Sequence, residues 1–139
     1  MTFSSGLAAT TTLTHLLSAG DHIVSMNDLY GGTNRYFRQV AARMQIETTF
    51  VDATDPEEVR KALRPNTKMV WVETPSNPTL KITDIKAVAE IAHSQPGVFL
   101  VVDNTFLSAY FQVRECQKVH TLSTIPVSSF STCVHYFVL

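Results

Sequence analysis

The chain has 139 residues, of which 45% are hydrophobic and 17% are charged, and its net charge is −1 at pH 7. This balance is typical of a globular domain, or part of one, and offers no basic surface of the kind that binds nucleic acid or anionic membranes. No apolar run approaches the roughly 20 residues that a membrane-spanning helix needs. The first residues resemble no secretory signal peptide, so we expect a cytoplasmic protein.

The cysteines and histidines follow no metal-binding pattern. Cys116 and Cys133 are too few for a disulfide framework and have no C-x-x-C spacing. His15, His22 and His93 also lack the spacing of metal ligands. We therefore expect no metal site and a reducing compartment.

Strands and helices alternate through the first 112 residues. Apolar spacing, β-branched runs and turn residues predict strands at 22–26, 47–51, 69–72 and 98–102. The same criteria predict helices at 6–19, about 33–44, 55–64 and 83–94. Four threonines in the first helix lower its intrinsic propensity, so we expect that helix to depend on burial.

Each predicted helix begins after a residue that can accept from its first N–H groups. The candidate caps are Ser4 or Ser5, Thr33 or Asn34, Asp55, and Thr83 or Asp84. Pro56 and the two acidic residues after it suit the first turn of the third helix. Gly20 is expected to end the first helix.

The alternation is typical of an α/β fold with a mostly parallel sheet. Right-handed crossovers bring the carboxyl ends of such strands to one edge of the sheet. Polar segments follow three of the predicted strands, at 27–32, 73–78 and 103–105. We expect these segments to form a binding cleft at that edge. Residues 113–139 show no clear helical or strand period.

Asp103 is the strongest candidate for a site residue. The apolar run 98–102 that precedes it is typical of a strand buried on both faces. A carboxylate at the end of such a strand is partly desolvated and needs a partner. Asp103 is therefore either a cap for the next turn or the partner of a ligand in the cleft.

The other candidates also have simple structural interpretations. Residues 4–8 open a helix and could bind phosphate, although serine at that position is often only a cap. Tyr30 lies beside two glycines and could stack on a planar ligand or simply pack. Glu73 and Asn77 belong to a proline-containing loop, where they could orient a ligand or face solvent. No nucleotide-binding glycine fingerprint is present.

Four segments, in their order and spacing, resemble the trans-sulfuration enzymes, the family of Cys/Met metabolism that depends on pyridoxal 5′-phosphate (PLP). The segments are Ser4-Ser5-Gly6-Leu7-Ala8-Ala9, residues 28–37, Glu73-Thr74-Pro75-Ser76-Asn77-Pro78 and residues 101–106. The second segment looks most like the cystathionine γ-lyase branch of the family. The resemblance covers residues 1–112 and leaves 113–139 as a divergent C-terminal tail outside the family fold.

The resemblance implies a fold and several residue roles. Residues 1–112 would form part of the large PLP-binding domain of an aspartate-aminotransferase-like (type I) fold, a three-layer α/β sandwich with a mostly parallel sheet. Gly6 and Leu7 would donate backbone N–H groups to the cofactor phosphate. Tyr30 would stack on the pyridine ring and assist proton transfer. Asp103 would pair with the pyridinium nitrogen, and Thr105 would support the ring.

Three further residues and a reaction follow from the same resemblance. Asn77 would lie near the phenolic oxygen of the ring, Glu73 would support the residues that touch the cofactor, and Arg35 would lie near the substrate entrance. The implied reaction is elimination at the γ-carbon of L-cystathionine, or of a related sulfur amino acid, in a homotetramer. Its products would be L-cysteine, 2-oxobutanoate and ammonia.

The lysine that binds PLP as a Schiff base in the family has no counterpart here. The family carries it in a Ser-x-Thr-Lys segment downstream of the Asp-Asn-Thr motif, and none of the five lysines lies in such a segment. The lysines are Lys61, Lys68, Lys81, Lys86 and Lys118. The family's N-terminal region and C-terminal domain also have no counterpart, so we expect a truncated fragment that is inactive by itself.

Three alternatives remain open at this point. The chain could be a non-catalytic module that binds PLP or pairs with full-length subunits. It could derive from an enzyme with another activity of the family, such as cystathionine γ-synthase or methionine γ-lyase. It could also be an unrelated Rossmann-like nucleotide binder, although the glycine fingerprint of that class is missing.

Overall fold

A computed structural model of the chain describes residues 2–107, 119–127 and 131–137. Within these residues the strands are β1 (Thr2–Phe3), β2 (His22–Met26), β3 (Glu47–Val51), β4 (Thr67–Glu73), β5 (Phe99–Asp103), β6 (Val119–Val127) and β7 (Ser131–Phe137). The α-helices are α1 (Gly6–Thr14), α2 (Gly31–Arg35), α3 (Pro56–Ala62) and α4 (Ile85–His93), and a π-helical segment (Tyr36–Ala41) follows α2. None of these helices is long and apolar enough to cross a membrane.

The strands form one sheet in the order β1-β7-β6-β5-β4-β2-β3. Strands β2 to β6 pair in parallel, and β7 runs antiparallel to both of its neighbours. Helix α1 packs near α2, and α3 packs against α4. The predicted α/β architecture with a mostly parallel sheet is confirmed.

The core lies around the neighbouring strands β2, β4 and β5, which carry the apolar runs of the sequence. Leu100, Val101 and Val102 are all buried, as the uninterrupted apolar pattern of this strand predicts. Trp71 of β4 is also fully buried and packs edge-to-face against Phe37, with 5.4 Å between the ring centroids. The sheet therefore provides a rigid base for the loops at its edges.

Side-chain caps define the start of three helices, as predicted. Ser5 Oγ accepts from the N–H of Ala8 at 3.1 Å. Asp55 and Asp84 cap α3 and α4 in the same way, each accepting at 3.0 Å from a backbone N–H of the first turn. These contacts are local in sequence, which explains why the sequence pattern identifies them.

Helix α1 is shorter than the predicted span of 6–19. It ends at Thr14, after which the chain tightens into turns that lead to Gly20, with φ of +91°. Thr10 and Thr14 are buried and donate to the carbonyl groups four residues earlier, at 3.0 and 2.8 Å. Burial offsets the low helix propensity of threonine, and the two bonds satisfy hydroxyl groups that would otherwise be buried without a partner.

The predicted cap of the second helix, Thr33 or Asn34, is wrong. Helix α2 already begins at Gly31, and the carbonyl of Tyr30 accepts from the N–H of Asn34 at 3.0 Å. The N–H of Tyr30 donates to Glu73, which lies 43 residues further along the chain. This start depends on a long-range contact, which a local sequence pattern cannot detect.

Two strands lie within residues 113–139, where the sequence shows no clear period. Strand β6 pairs with β5 in parallel, with Leu100 opposite Val119 and Asp103 opposite Leu122. Strand β7 returns antiparallel and also pairs with β1 near the N-terminus. These strands extend the sheet through backbone hydrogen bonds. A pattern of side chains along the sequence does not predict such bonds.

His22 is a buried neutral histidine at the amino end of β2. Its Nδ1 lies 2.8 Å from Thr67 Oγ1, and its Nε2 lies 2.8 Å from Thr49 Oγ1. Arg64 bonds to both threonine hydroxyls, through its backbone N–H and its guanidinium group. Burial, together with the positive charge of Arg64, lowers the pKa of His22 from 6.5 to about 4.

We predict that His22 makes the chain sensitive to acid. The unfolded chain binds a proton at this residue below about pH 6.5, whereas the folded chain does so only near pH 4. The contribution of His22 to the free energy of unfolding should therefore fall by up to about 3 kcal/mol as the pH drops through this window. His22→Gln should flatten this slope in urea titrations, and substitution of the exposed His15 should not. An unchanged slope in His22→Gln would contradict the prediction.

Candidate functional site

A cavity of about 400 Å³ opens at the carboxyl edge of the sheet, where the polar segments of the sequence come together. It lies between the start of α1, the turn before α2, and the ends of β4 and β5. Its lining residues are Ser5, Gly6, Leu7, Tyr30, Thr33, Glu73, Pro75, Asn77, Asp103, Thr105 and Phe106. A cleft beyond the carboxyl ends of parallel strands is the usual ligand site of open α/β sheets.

The start of α1 forms one wall of the cavity and can bind an anion. The N–H groups of Gly6 and Leu7 have no acceptor within the helix, and no described residue accepts from them. A side chain at Gly6 would meet no atom within 4 Å, so a ligand can approach the backbone closely there. Two free N–H groups at the positive end of a helix are suited to phosphate.

Asp103 provides an acidic group in the same cavity. Thr105 donates to Asp103 Oδ1 twice, from its backbone N–H at 3.0 Å and from its hydroxyl at 2.6 Å. Among the described residues no donor reaches Oδ2. Burial raises the pKa of Asp103, while the two bonds from Thr105 oppose the rise. A cationic N–H group in the cavity would therefore find an acceptor in Asp103. The positive charge of that group would in turn stabilise the ionised form of the Asp103 carboxyl group.

Glu73 is a second buried acid beside Asp103. The two residues are partners in the parallel pairing of β4 with β5, and Glu73 is only 3% exposed. The N–H of Tyr30 lies 3.0 Å from both carboxylate oxygens of Glu73. Burial raises the pKa of Glu73 to about 8, with a further contribution from the charge of Asp103. Glu73 thus connects the acidic end of the cavity to the turn that carries Tyr30.

Hydrogen bonds to Asp28 connect two loops at the rim of the cavity. Asp28 accepts from the hydroxyl groups of Ser76 and Thr79, and also from the Thr79 N–H at 3.3 Å. These bonds stabilise the ionised form of Asp28 and lower its pKa. The hydrogen bonds of Asp28 join the turn before Tyr30 to the loop that contains Asn77. Two loops that are far apart in sequence therefore form one rim.

The structure brings most of the predicted site residues together. Seven of them line the cavity: Gly6, Leu7, Tyr30, Glu73, Asn77, Asp103 and Thr105. Arg35 does not line it; this exposed residue lies in the last turn of α2. Ser5, which belongs to the segment 4–8 predicted either to bind phosphate or to cap the helix, also lines the cavity. Thr33, Pro75 and Phe106 line it too, and the sequence predicted no cofactor role for them. The sequence could have indicated two of these residues by their position. Thr33 follows Tyr30 by about one helical turn, and Phe106 directly follows Thr105.

Residues 1–114 match the family described as Cys/Met metabolism PLP-dependent enzyme. The chain belongs to this family. It is 57% identical over 112 residues to the cystathionine gamma-lyase of Rattus norvegicus and 55% identical to that of Homo sapiens, and each match covers 81% of this chain but 28% of the relative. The chain therefore spans less than a third of these relatives.

A solved structure that is similar to this chain supports the expected fold. The crystal structure of metB from Corynebacterium glutamicum matches with a TM-score of 0.80 and 45% sequence identity. The match covers 88% of this chain and 32% of that one. The expected aspartate-aminotransferase-like fold is confirmed, and membership of the family excludes the unrelated nucleotide binder. The family also identifies PLP as the cofactor.

The donors and acceptors of the cavity fit PLP. The phosphate suits the free N–H groups at the start of α1, the pyridinium N–H suits Asp103, and the ring suits Tyr30. No lysine occurs among the described lining residues, and two of the described lysines are engaged elsewhere. Lys61 pairs with Glu58 and Lys81 with Asp52, both at 2.8 Å. Lys118 lies outside the described residues.

We predict that Glu73 titrates near pH 8 and that its pKa depends on Asp103. Asp103→Asn removes the neighbouring negative charge and should lower the pKa of Glu73, while burial, the larger cause, should keep it above 4.5. Carboxyl NMR on isotope-labelled protein measures this directly.

The exposed acid Glu90 of α4 provides the control for this titration. Glu90→Gln should leave the pKa of Glu73 unchanged. Because the folded state holds the Glu73 proton more tightly than the unfolded state, the contribution of Glu73 to the free energy of unfolding should fall as the pH rises from about 4.5 to about 8. This contribution is opposite in sign to that of His22. A Glu73 resonance that titrates near pH 4.5 in the unaltered chain would refute this electrostatic description.

Proposed function

We propose that this chain is the cofactor-binding part of a PLP-dependent carbon–sulfur lyase of trans-sulfuration. The proposed reaction converts L-cystathionine and water to L-cysteine, 2-oxobutanoate and ammonia. Sequence identity of 53–58% to curated proteins named cystathionine gamma-lyase supports the proposal of this activity. The observation that carries the proposal is the position of Asp103, in one cavity with the free N–H groups of Gly6 and Leu7.

Each end of PLP has a proposed partner in the chain. Gly6 and Leu7 bind the phosphate with their backbone N–H groups. Asp103 accepts from the pyridinium nitrogen and keeps it protonated, and Thr105 holds the carboxylate in place through its two hydrogen bonds. When bound, PLP supplies an electron-withdrawing ring that stabilises negative charge developing on the substrate. A protonated ring performs this task better than a neutral one, which is why the ionisation of Asp103 matters.

Three other residues have proposed roles around the ring. Tyr30 stacks on it and assists proton transfer through its hydroxyl. Asn77 lies near the phenolic oxygen, and Arg35 contributes at the substrate entrance. Glu73 supports this arrangement through its bond to the Tyr30 N–H. The raised pKa of Glu73 lets it hold a proton near neutral pH, which limits the repulsion between its carboxyl group and an ionised Asp103.

A second candidate function is a non-catalytic module that binds PLP or pairs with full-length subunits. The absence of lysine among the described lining residues favours this alternative for the isolated chain. In either case we propose a chain that binds PLP reversibly and has no lyase activity alone. We further propose that the family domain ends near residue 112. We also propose that the full-length enzyme assembles as a homotetramer and is located in the cytoplasm.

We predict that Asp103→Asn weakens PLP binding by about ten- to a hundredfold, because it removes a charge-assisted hydrogen bond worth about 1.5–3 kcal/mol. The dissociation constant can be measured from the visible absorbance of bound PLP. Glu90→Gln is the matched control, since it neutralises an exposed acid of α4 that is not among the described residues lining the cavity. Equal affinity in the unaltered and the Asp103→Asn chains would overturn the proposed role of Asp103.

We also predict that bound PLP is removed by dialysis and is not fixed to the protein by borohydride. Reduction with borohydride followed by mass spectrometry tests whether any lysine becomes modified. Pure chain incubated with L-cystathionine and PLP should release no 2-oxobutanoate above the level of free PLP. A lysine adduct together with 2-oxobutanoate release would show that the chain is a complete enzyme.

A further inference from the structure

Asp28 contacts the chain on both sides of Asn77. Its Oδ2 atom accepts from the hydroxyl group of Ser76, the residue directly before Asn77. The same oxygen accepts from Thr79, two residues after Asn77, through the hydroxyl group and through the N–H at 3.3 Å. Asn77 lines the cavity, and Asp28 is not among the described residues that do so. A residue that does not line the cavity therefore holds the segment that brings Asn77 to it.

Residues 76–81, which we call the Asn77 loop, close on themselves around Ser76. The N–H of Ser76 donates to the carbonyl of Lys81 at 2.9 Å, and its carbonyl accepts from the N–H of Leu80 at 3.1 Å. Its hydroxyl oxygen also accepts from the N–H of Lys81 at 3.0 Å. Ser76 is fully buried. The bond to Asp28 therefore fixes the residue on which the whole loop closes.

The Asn77 loop contains a backbone conformation that needs support. Leu80 has a φ of +56°, in the left-handed region that a bulky residue rarely adopts. Its side chain is 60% exposed, so burial offers little compensation. Such a conformation persists only when the surrounding contacts impose it. Thr79, directly before Leu80, bonds to Asp28, and this bond is one of those contacts.

We propose that Asp28 is a positioning residue for Asn77: its carboxylate keeps the Asn77 loop in the conformation that places Asn77 at the cavity. This inference deepens the proposed function and rests on it, because the consequence for binding requires that Asn77 contacts the phenolic oxygen of PLP. Asp28 acts only through the loop and does not touch the cofactor.

Two variants separate the position of the loop from the charge of Asp28. Asp28→Asn removes the negative charge that the donors of the loop share, whereas Ser76→Ala removes one donor and leaves the charge in place. An effect of charge alone would appear only in Asp28→Asn. Asp21→Asn is the matched control, because Asp21 accepts from the N–H of Ser18 at 2.7 Å and lies at the opposite end of β2.

The first test needs no cofactor and measures amide hydrogen exchange by NMR. Asp28→Asn should accelerate exchange of the Leu80 N–H by about tenfold or more, because it weakens charge-assisted hydrogen bonds that hold the loop. Ser76→Ala should act in the same direction, and Asp21→Asn should not. The N–H of Val88 in α4 reports whether the remainder of the fold has loosened. Unchanged exchange of the Leu80 N–H in a folded Asp28→Asn chain would overturn the proposal.

A milder variant keeps this test decisive if Asp28→Asn fails to fold. Thr79→Val removes one hydroxyl donor at an exposed residue and retains both the N–H at position 79 and the charge of Asp28. It should accelerate exchange of the Leu80 N–H to a smaller extent than Asp28→Asn. Unchanged exchange in both Thr79→Val and Ser76→Ala would equally contradict the proposal.

The second test measures the dissociation constant of PLP in a double-mutant cycle. Loss of one hydrogen bond corresponds to about a two- to tenfold loss of affinity, which we expect for Asn77→Ala, Asp28→Asn and Ser76→Ala. Asp21→Asn should bind as the unaltered chain does. Ser76→Ala should add no further loss once Asn77 is alanine. Additive losses would show that Ser76 and Asp28 do not act through Asn77.

Inorganic phosphate distinguishes positioning from a general loss of structure. The N–H groups of Gly6 and Leu7 lie at the start of α1, on another wall of the cavity. Their chemical shifts in a phosphate titration should give the same dissociation constant for Ser76→Ala as for the unaltered chain. Equal losses of phosphate and PLP affinity would show that the change spreads beyond the Asn77 loop, and would count against a positioning role.

These measurements separate the inference from the proposed function. If Asn77→Ala binds PLP as tightly as the unaltered chain, the proposed contact of Asn77 is wrong, whereas hydrogen exchange still decides whether Asp28 holds the loop. If Asn77→Ala weakens binding while Asp28→Asn and Ser76→Ala do not, the proposed function stands and the inference about Asp28 is wrong. If only Asp28→Asn weakens binding, its charge rather than its hold on the loop is responsible, and the inference is again wrong.

Discussion

Parallel pairing of β4 with β5 places two carboxyl groups side by side, and the remainder of the site depends on this constraint. Glu73 and Asp103 end their strands in register, at the edge where the cavity opens. Burial raises the pKa of both groups, and the charge of Asp103 raises that of Glu73 further. A buried acid pair of this kind favours a bound cation, because a positive partner offsets both the repulsion and the desolvation.

Hydrogen bonds from distant loops turn this acid pair into a formed site. Glu73 holds the backbone of Tyr30, and Asp28 holds the loop that carries Asn77. Further out, Lys81 donates to Asp52 at 2.8 Å and ties the same loop to the end of β3. These contacts fix groups that would otherwise lie on independent loops. Such pre-organisation reduces the ordering that ligand binding must impose.

Particular elements show why the sequence was informative in some places and not in others. Strand β5 and the caps Ser5, Asp55 and Asp84 were predictable, because apolar runs and caps depend on neighbouring residues. The site residues were identified by motif resemblance, and seven of those named line the cavity. The start of α2 was missed because it depends on Glu73 in another strand. Strands β6 and β7 were missed because backbone pairing creates them.

The sequence by itself determined the α/β alternation, the family and the chemical groups that the site would use. Those properties reside in residue types and short-range spacing, which remain the same in any conformation. Only the tertiary structure decided that Glu73 supports the Tyr30 backbone, that Asp103 raises the pKa of Glu73, and that the Tyr30 ring lies against Gly32. Each of these depends on distances between atoms or on the removal of water, and such quantities exist only once the chain has folded.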